Sequence, residues 1–392
     1  MTQSLSGKAV TGARIFDGHA WHEGKALLVG QDGHIEAIVA EADIPPALDR
    51  VALSGGLLVP GFVDLQVNGG GGVLLNEQPT REGIAAICRA HAKFGTTALL
   101  PTLITDRPEL TVRAIAAGTE ATRAGVPGFL GLHIEGPHIS LARKGVHEPS
   151  HIRPMQAEDF DRLVAAVSAM PVVMTTLAPE VVPPETITRL SAAGVVVSLG
   201  HSDAGCDTAR QGAEAGARLV THLFNAMSGL GHREPGMVGN ALDCGALHVG
   251  LIADGFHVDP VAIGIALRAK RGPGHIFLVT DAMSPTGTDM TSFRLNGREI
   301  FRRDGRLTLA DGTLAGADID MLSSVTFMHR RIGLPLSEAL RMASLYPARA
   351  VGQDRRIGHL QPGAEASMLH LGDDLALRSV WIRGTELEPS GH

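Results

Sequence analysis

Gly131-Leu132-His133-Ile134-Glu135-Gly136-Pro137-His138 is the stretch from which the rest of the chain can be read. It closes an apolar, β-compatible run that begins at Phe129. The run ends on a carboxylate and then on Gly-Pro, a pair that stops a strand. Alternation along a strand places His133 and Glu135 on one face. Three later apolar runs end in the same manner, on His201, on His222 and on Asp281.

Working outward, strand-like runs fall at 62–68, 97–103, 129–135, 172–177, 195–201, 218–222, 248–253 and 276–281. Helical periodicity fills 81–94, 107–124, 157–169, 184–193, 204–215 and 260–270. Eight strands interleaved with helices predict an α/β fold, a parallel sheet closed as a TIM-like (β/α)8 barrel. In such barrels the C-terminal ends of the strands carry the chemistry, so Glu135, His201, His222 and Asp281 would meet at one mouth. Residues 1–58 read as short strands, with a hairpin of 26–29 and 35–39 around Gly30-Gln31-Asp32-Gly33. The tail returns to strands at 367–371 and 379–383, so head and tail are expected to pair as one small β-sandwich domain. The expected division is 1–58 and 358–392 for that domain and 59–357 for the barrel. A β-rich insert at 293–313 carries the turn signals Asn296-Gly297 and Asp304-Gly305, and helices follow at 319–331 and 337–343.

Composition narrows the class. Hydrophobic residues are 44% and charged residues 19% of 392, which suits a globular chain with a large core. A net charge of −7 with no Lys/Arg block disfavours nucleic acid as a partner, and no apolar run is long enough to span a bilayer. Cys88, Cys206 and Cys244 are odd in number, widely spaced and form no CxxC pair. That pattern, with no apolar leader in residues 1–10, gives the expectation of a cytoplasmic protein without disulfides.

Glu135, His201 and His222 form a candidate metal set, since zinc takes imidazole nitrogen and carboxylate oxygen and a catalytic site uses three protein ligands. A single strand-end histidine is more often a core or capping group; three such residues on separate strands are not. Asp281 alone reads equally as a turn residue or helix cap, but beside a metal it is the natural general base. Gly69 to Gly72 could cradle a phosphate through backbone N–H groups, but with no P-loop lysine they read better as a mobile turn. Arg233 is either a solvated charge or a bidentate anion ligand. His147 and His257 stand on loops after strands, where a surface histidine and a functional one are equally expected. Cys206 has no partner base and reads as structural, and His19, His34 and His91 lie away from the strand mouths.

Seven motifs occur in one order: Pro60-Gly61-Phe62-Val63-Asp64, His133-Ile134-Glu135-Gly136-Pro137, Leu199-Gly200-His201-Ser202, Thr221-His222-Leu223-Phe224-Asn225-Ala226-Met227, Arg233-Glu234-Pro235-Gly236, Ala253-Asp254-Gly255-Phe256-His257 and Thr280-Asp281-Ala282. With Gly312-Thr313-Leu314-Ala315-Gly316 and Leu345-Tyr346-Pro347-Ala348-Arg349-Ala350, they run from about Val59 to Gly363. The chain resembles the N-acetylglucosamine-6-phosphate deacetylase family of the amidohydrolase superfamily. The resemblance implies a metal on Glu135, His201 and His222, with Asp281 activating water and then protonating the leaving amine. It implies that His147 polarises the acetamide carbonyl. The sugar phosphate would be held by Val146, Asn225, Ala226, Arg233 and His257, with Leu314, Ala315, Gly316 and Ala317 along the sugar. Arg233 would reach in from a neighbouring subunit, which implies a homodimer. The superfamily's His-x-His positions are Gln66 and Asn68 here, which favours one divalent ion per chain, Zn2+ with Fe2+, Co2+ or Mn2+ as alternatives. The same reaction on N-acetylgalactosamine 6-phosphate or another acetamido sugar phosphate is the near alternative. A non-catalytic binding scaffold is the distant one, and it would be expected to lack a ligand or the base.

Overall fold

The structure, a computed structural model, describes residues 4–387. All eight expected barrel strands are present: Phe62–Val67, Thr96–Ile104, Gly131–Glu135, Val172–Leu177, Val196–Leu199, Leu219–Val220, His248–Leu251 and Ile276–Leu278. They pair in sequence order and all in parallel. The seam closes where Val67 bridges Ala282 in parallel and the Asp281 N–H donates to the Gln66 carbonyl at 2.9 Å. The first and last strands therefore deliver Gln66 and Asp281 side by side.

The helices between strands begin where the sequence offers a start. Thr80 caps Arg81–Ala92 by accepting from the Gly83 N–H at 3.1 Å. Proline opens Pro108–Arg123, Pro184–Ala192 and Pro260–Ala269, where its missing N–H costs nothing. Two further helices, Gly236–Asp243 and Leu345–Ala350, escaped the periodicity reading. Gly236 through Leu242 are all buried, so that helix has no polar face to mark it. Pro347 lies in the first turn of the other, where no intrahelical donor is needed.

Inside the barrel the floor below the mouth is polar rather than aliphatic. His133 Nε2 lies 2.7 Å from Thr176 Oγ1, which lies 2.7 Å from Thr221 Oγ1, itself 2.6 Å from Ser198 Oγ. Asp64 accepts from Thr280 Oγ1 at 2.5 Å, and burial pushes its carboxyl up to about 7. Buried polar groups persist only when paired, and this paired layer gives the mouth a fixed base.

The termini pair as expected. Met368–Leu371 runs antiparallel to Leu57–Pro60 in a six-stranded sheet, and Lys8–Thr11, Lys25–Val29, Ile35–Ala40 and Asp49–Ala52 form a four-stranded one. Val10, Leu27 and Ile35 of the smaller sheet meet Ile15, Leu58, Met368 and Trp381 of the larger in one core.

The insert is an antiparallel meander of Ser292–Leu295, Arg298–Arg303, Arg306–Thr308 and Leu314–Ala317. Asn296-Gly297 and Asp304-Gly305 are its tight turns, with φ of 51° and 73°, and of 50° and 70°. Phe293, Leu295, Ile300 and Leu307 pack on Leu74, Ile104 and Met283, which stands the meander at the edge of the mouth. The glycine run differs from expectation. Gly69–Gly70 pairs with Val73–Leu74, and the N–H groups of Gly69, Gly71 and Gly72 donate to Ala282, Thr286 and Ser284 carbonyls. It is a pinned hairpin rather than a mobile turn, and those donors are already used.

Candidate active site

His201, His222 and Asp281 each stand just beyond a barrel strand with positive φ, 47°, 29° and 52°. Such a backbone costs a non-glycine residue about 1–3 kcal/mol and recurs where side chains must be aimed. Here it turns two imidazoles and a carboxylate into the same mouth. Glu135 Oε1 lies 3.2 Å from His201 Nε2 and 3.2 Å from His222 Nε2, and the two nitrogens are 3.1 Å apart. Zinc with bonds of about 2.0–2.2 Å holds tetrahedral N and O ligands roughly 3.3 Å apart. The triangle therefore fits a divalent ion in both donor chemistry and edge length. His201 Nδ1 lies 2.8 Å from the Arg143 carbonyl, which can only accept, so His201 Nε2 is left with its lone pair.

Burial alone would raise Glu135, but its contacts with His201 and His222 outweigh that and hold it well below the usual carboxylate range. Asp281 is raised, first by burial and then by the charge of Glu135, which suits a group that must accept a proton and give it back. Gln66 Nε2 donates to Glu135 Oε1 at 3.0 Å and to Asp281 Oδ1 at 3.2 Å, and Asn68 Nδ2 donates to the same Asp281 oxygen at 2.6 Å. These amides turn N–H groups toward the carboxylates. An amide ligates a metal through its oxygen, and toward these carboxylates both side chains present nitrogen instead.

Glu135, His147 and His201 can also bring one ligand atom each within 4.8 Å of one another. Two histidines thus compete for the third place. His147 Nδ1 is 2.7 Å from Thr105 Oγ1 and 3.4 Å from the Thr105 N–H, while the His222 nitrogen closes the tighter triangle. The His222 place fits better on those distances.

These groups line a cavity of about 160 Å³. Val146, His147, Asn225, Ala226, His257, Leu314 and Gly316 line it, together with Glu135, His201, His222 and Asp281. His257 Nδ1 is held by Asp254 Oδ2 at 2.6 Å. Val146 is gripped from the meander, its carbonyl accepting from Arg298 Nη2. Ala315 and Ala317 were expected along the sugar but do not line the cavity. Strand alternation buries them while Leu314 and Gly316 face it. Arg233 is exposed on its loop and does not line the cavity of its own chain. The sequence reading passed over Ile104, Gly145, Ile252 and Met283 in the lining and Thr105 behind His147. Thr105 directly follows the strand Thr96–Ile104, whose apolar run at 97–103 stops one residue short of the strand's end.

Comparison with known proteins settles the class. Residues 57–387 match the Amidohydrolase family. The chain belongs to the amidohydrolase family. It is a hydrolase of amide carbon–nitrogen bonds in a metal-dependent family. An N-acetylgalactosamine-6-phosphate deacetylase of Shewanella sp. (strain ANA-3) is 44% identical to this amidohydrolase over 85% of the chain and 83% of its own length. An N-acetylglucosamine-6-phosphate deacetylase of Haemophilus influenzae is 36% identical over 85% of the chain and 87% of its own length. The solved N-acetylglucosamine-6-phosphate deacetylase of Pasteurella multocida superposes with a TM-score of 0.93 at 36% identity, covering 97% of this chain and 100% of that one. Among the described residues no helix is long and apolar enough to cross a membrane.

Proposed function

We propose that this amidohydrolase hydrolyses the acetamide of N-acetyl-D-glucosamine 6-phosphate to D-glucosamine 6-phosphate and acetate, as a cytoplasmic enzyme of amino sugar breakdown or recycling. The observation that carries the reading is the Glu135–His201–His222 triangle with Asp281 tied to it through Gln66. That triangle would hold one divalent ion per chain, Zn2+ or else Fe2+, Co2+ or Mn2+, which would supply an acidified water and polarise the amide carbonyl. Asp281 takes the proton from the attacking water and returns it to the nitrogen, so that the leaving group departs as a neutral amine. A neutral His147 donates to the carbonyl oxygen as negative charge gathers there. Asn225, Ala226 and His257 hold the phosphate, Val146 and Leu314 flank the sugar, and Arg233 of a second copy completes the site in a homodimer.

A second reading is the galacto epimer, favoured by the 44% identity to the Shewanella enzyme. Acetate release from a panel of phosphorylated acetamido sugars tests both. Turnover of N-acetylglucosamine 6-phosphate above the others is the expected result. Preference for N-acetylgalactosamine 6-phosphate moves the assignment to the epimer, and no acetate from any sugar phosphate overturns both readings.

The Arg233 assignment has its own consequence. A guanidinium on phosphate makes charge-assisted, paired hydrogen bonds, so Arg233→Ala should raise KM on the order of 10²-fold for the phosphorylated sugar. KM for the unphosphorylated analogue should barely move. Equal losses on both would remove Arg233 from the phosphate site. Mixed dimers of Arg233→Ala and Asp281→Asn chains should regain activity, because one site per dimer then has both groups. No recovery would place Arg233 outside the neighbouring site.

A further inference from the structure

We infer that Thr105 fixes the tautomer of His147, and so presents an Nε2–H to the carbonyl oxygen of the bound acetamide. The inference rests on the reading above, in which His147 polarises that carbonyl. Thr105 immediately follows the barrel strand Thr96–Ile104 and is 1% exposed. Its hydroxyl lies 2.7 Å from His147 Nδ1, and its backbone N–H points at the same nitrogen from 3.4 Å. A hydroxyl could face either tautomer, because it can donate or accept. A backbone N–H can only donate. Nδ1 must therefore be the acceptor, and a neutral imidazole then carries its single hydrogen on Nε2.

The surroundings support the same state. His147 is 2% exposed, where a neutral ring is favoured over a charged one. Thr105 Oγ1 also lies 3.4 Å from the Glu135 carbonyl. Donating there would let Oγ1 accept from an Nδ1–H, but it would leave the Thr105 N–H pointing at that hydrogen with no acceptor. Gly136 makes room for the hydroxyl: a Cβ at that position, where φ is +83°, would come within 2.2 Å of Thr105 Oγ1. Thr105 is thus a positioning residue, touching His147 rather than substrate. An imidazole set the other way would bring a lone pair to the carbonyl oxygen and repel it.

Two measurements on the zinc-loaded protein test this. In ¹⁵N-histidine-labelled protein, with His147→Gln identifying the signal, His147 should show a protonated Nε2 and an unprotonated Nδ1. Thr105→Val should weaken that pattern and lower kcat about tenfold or more with little change in KM. Metal content should be unchanged, and Thr105→Ser should restore most of the rate. A protonated Nδ1 in the parent protein overturns the inference, and so does a Thr105→Val variant with parental kcat or a Thr105→Ser variant as slow as Val. If instead His147→Gln keeps full kcat while the parent spectrum shows the Nε2–H form, it is the role given to His147 that fails and not the tautomer.

Discussion

Asp281→Asn is expected to lower kcat by about 10³- to 10⁴-fold or more, the upper end for a general acid–base group, while metal and substrate still bind. Asp281 Oδ1 already accepts from Asn68 at 2.6 Å and from Gln66 at 3.2 Å, so the carboxylate is held and does not need the metal to orient it. An asparagine keeps the volume but cannot take the proton from the attacking water. Nor can it return one to the nitrogen, and an amine anion is a very poor leaving group. Saturation kinetics, metal content and substrate affinity of the variant decide the matter. A fall of less than about tenfold would give the proton transfer to another residue, being far below what such groups contribute. Loss of the metal with the activity would instead make Asp281 a ligand.

The next largest effect concerns which histidine completes the metal set. His222→Ala should lose the ion and drop turnover to background, because removing one corner of a 3.1–3.2 Å triangle leaves two ligands. His147→Gln should keep its ion while kcat falls on the order of 10²-fold, the loss of one donor to the carbonyl oxygen. Elemental analysis of parent protein purified with excess zinc should give close to one ion per chain, since Gln66 and Asn68 face the site with N–H groups. The reverse pattern, metal lost with His147 and kept without His222, would exchange their roles. A reproducible second ion beside Gln66 would end the single-ion assignment.

Much of this site is legible in the sequence. The strand runs ending on Glu135, His201, His222 and Asp281 carry a period of two and a stop signal, both local properties of the chain. Local properties also marked the meander turns, whose Asn-Gly and Asp-Gly pairs suit two successive positive φ values. What failed locally failed for a stated reason. Gly236 through Leu242 is buried all round and has no amphipathic period. The glycine run has donors whose partners, Ser284 and Thr286, lie more than two hundred residues away along the chain.

The sequence by itself determined the barrel, the pairing of its two termini into one β domain, and the strand ends at which Glu135, His201, His222 and Asp281 stand. Hydrophobic periodicity and turn chemistry act over a few residues, so one chain is enough to read them. Only the tertiary structure decided which atoms face one another across the mouth. It set the triangle of Glu135 with His201 and His222, and it showed Gln66 serving two carboxylates as a donor. It turned Ala315 and Ala317 away from the cavity, and it put Thr105 behind His147. Each of these depends on register between distant strands or on which nitrogen carries a hydrogen. A hydrogen bond is set by ångströms and by donor polarity, and neither is written in residue type or spacing along the chain.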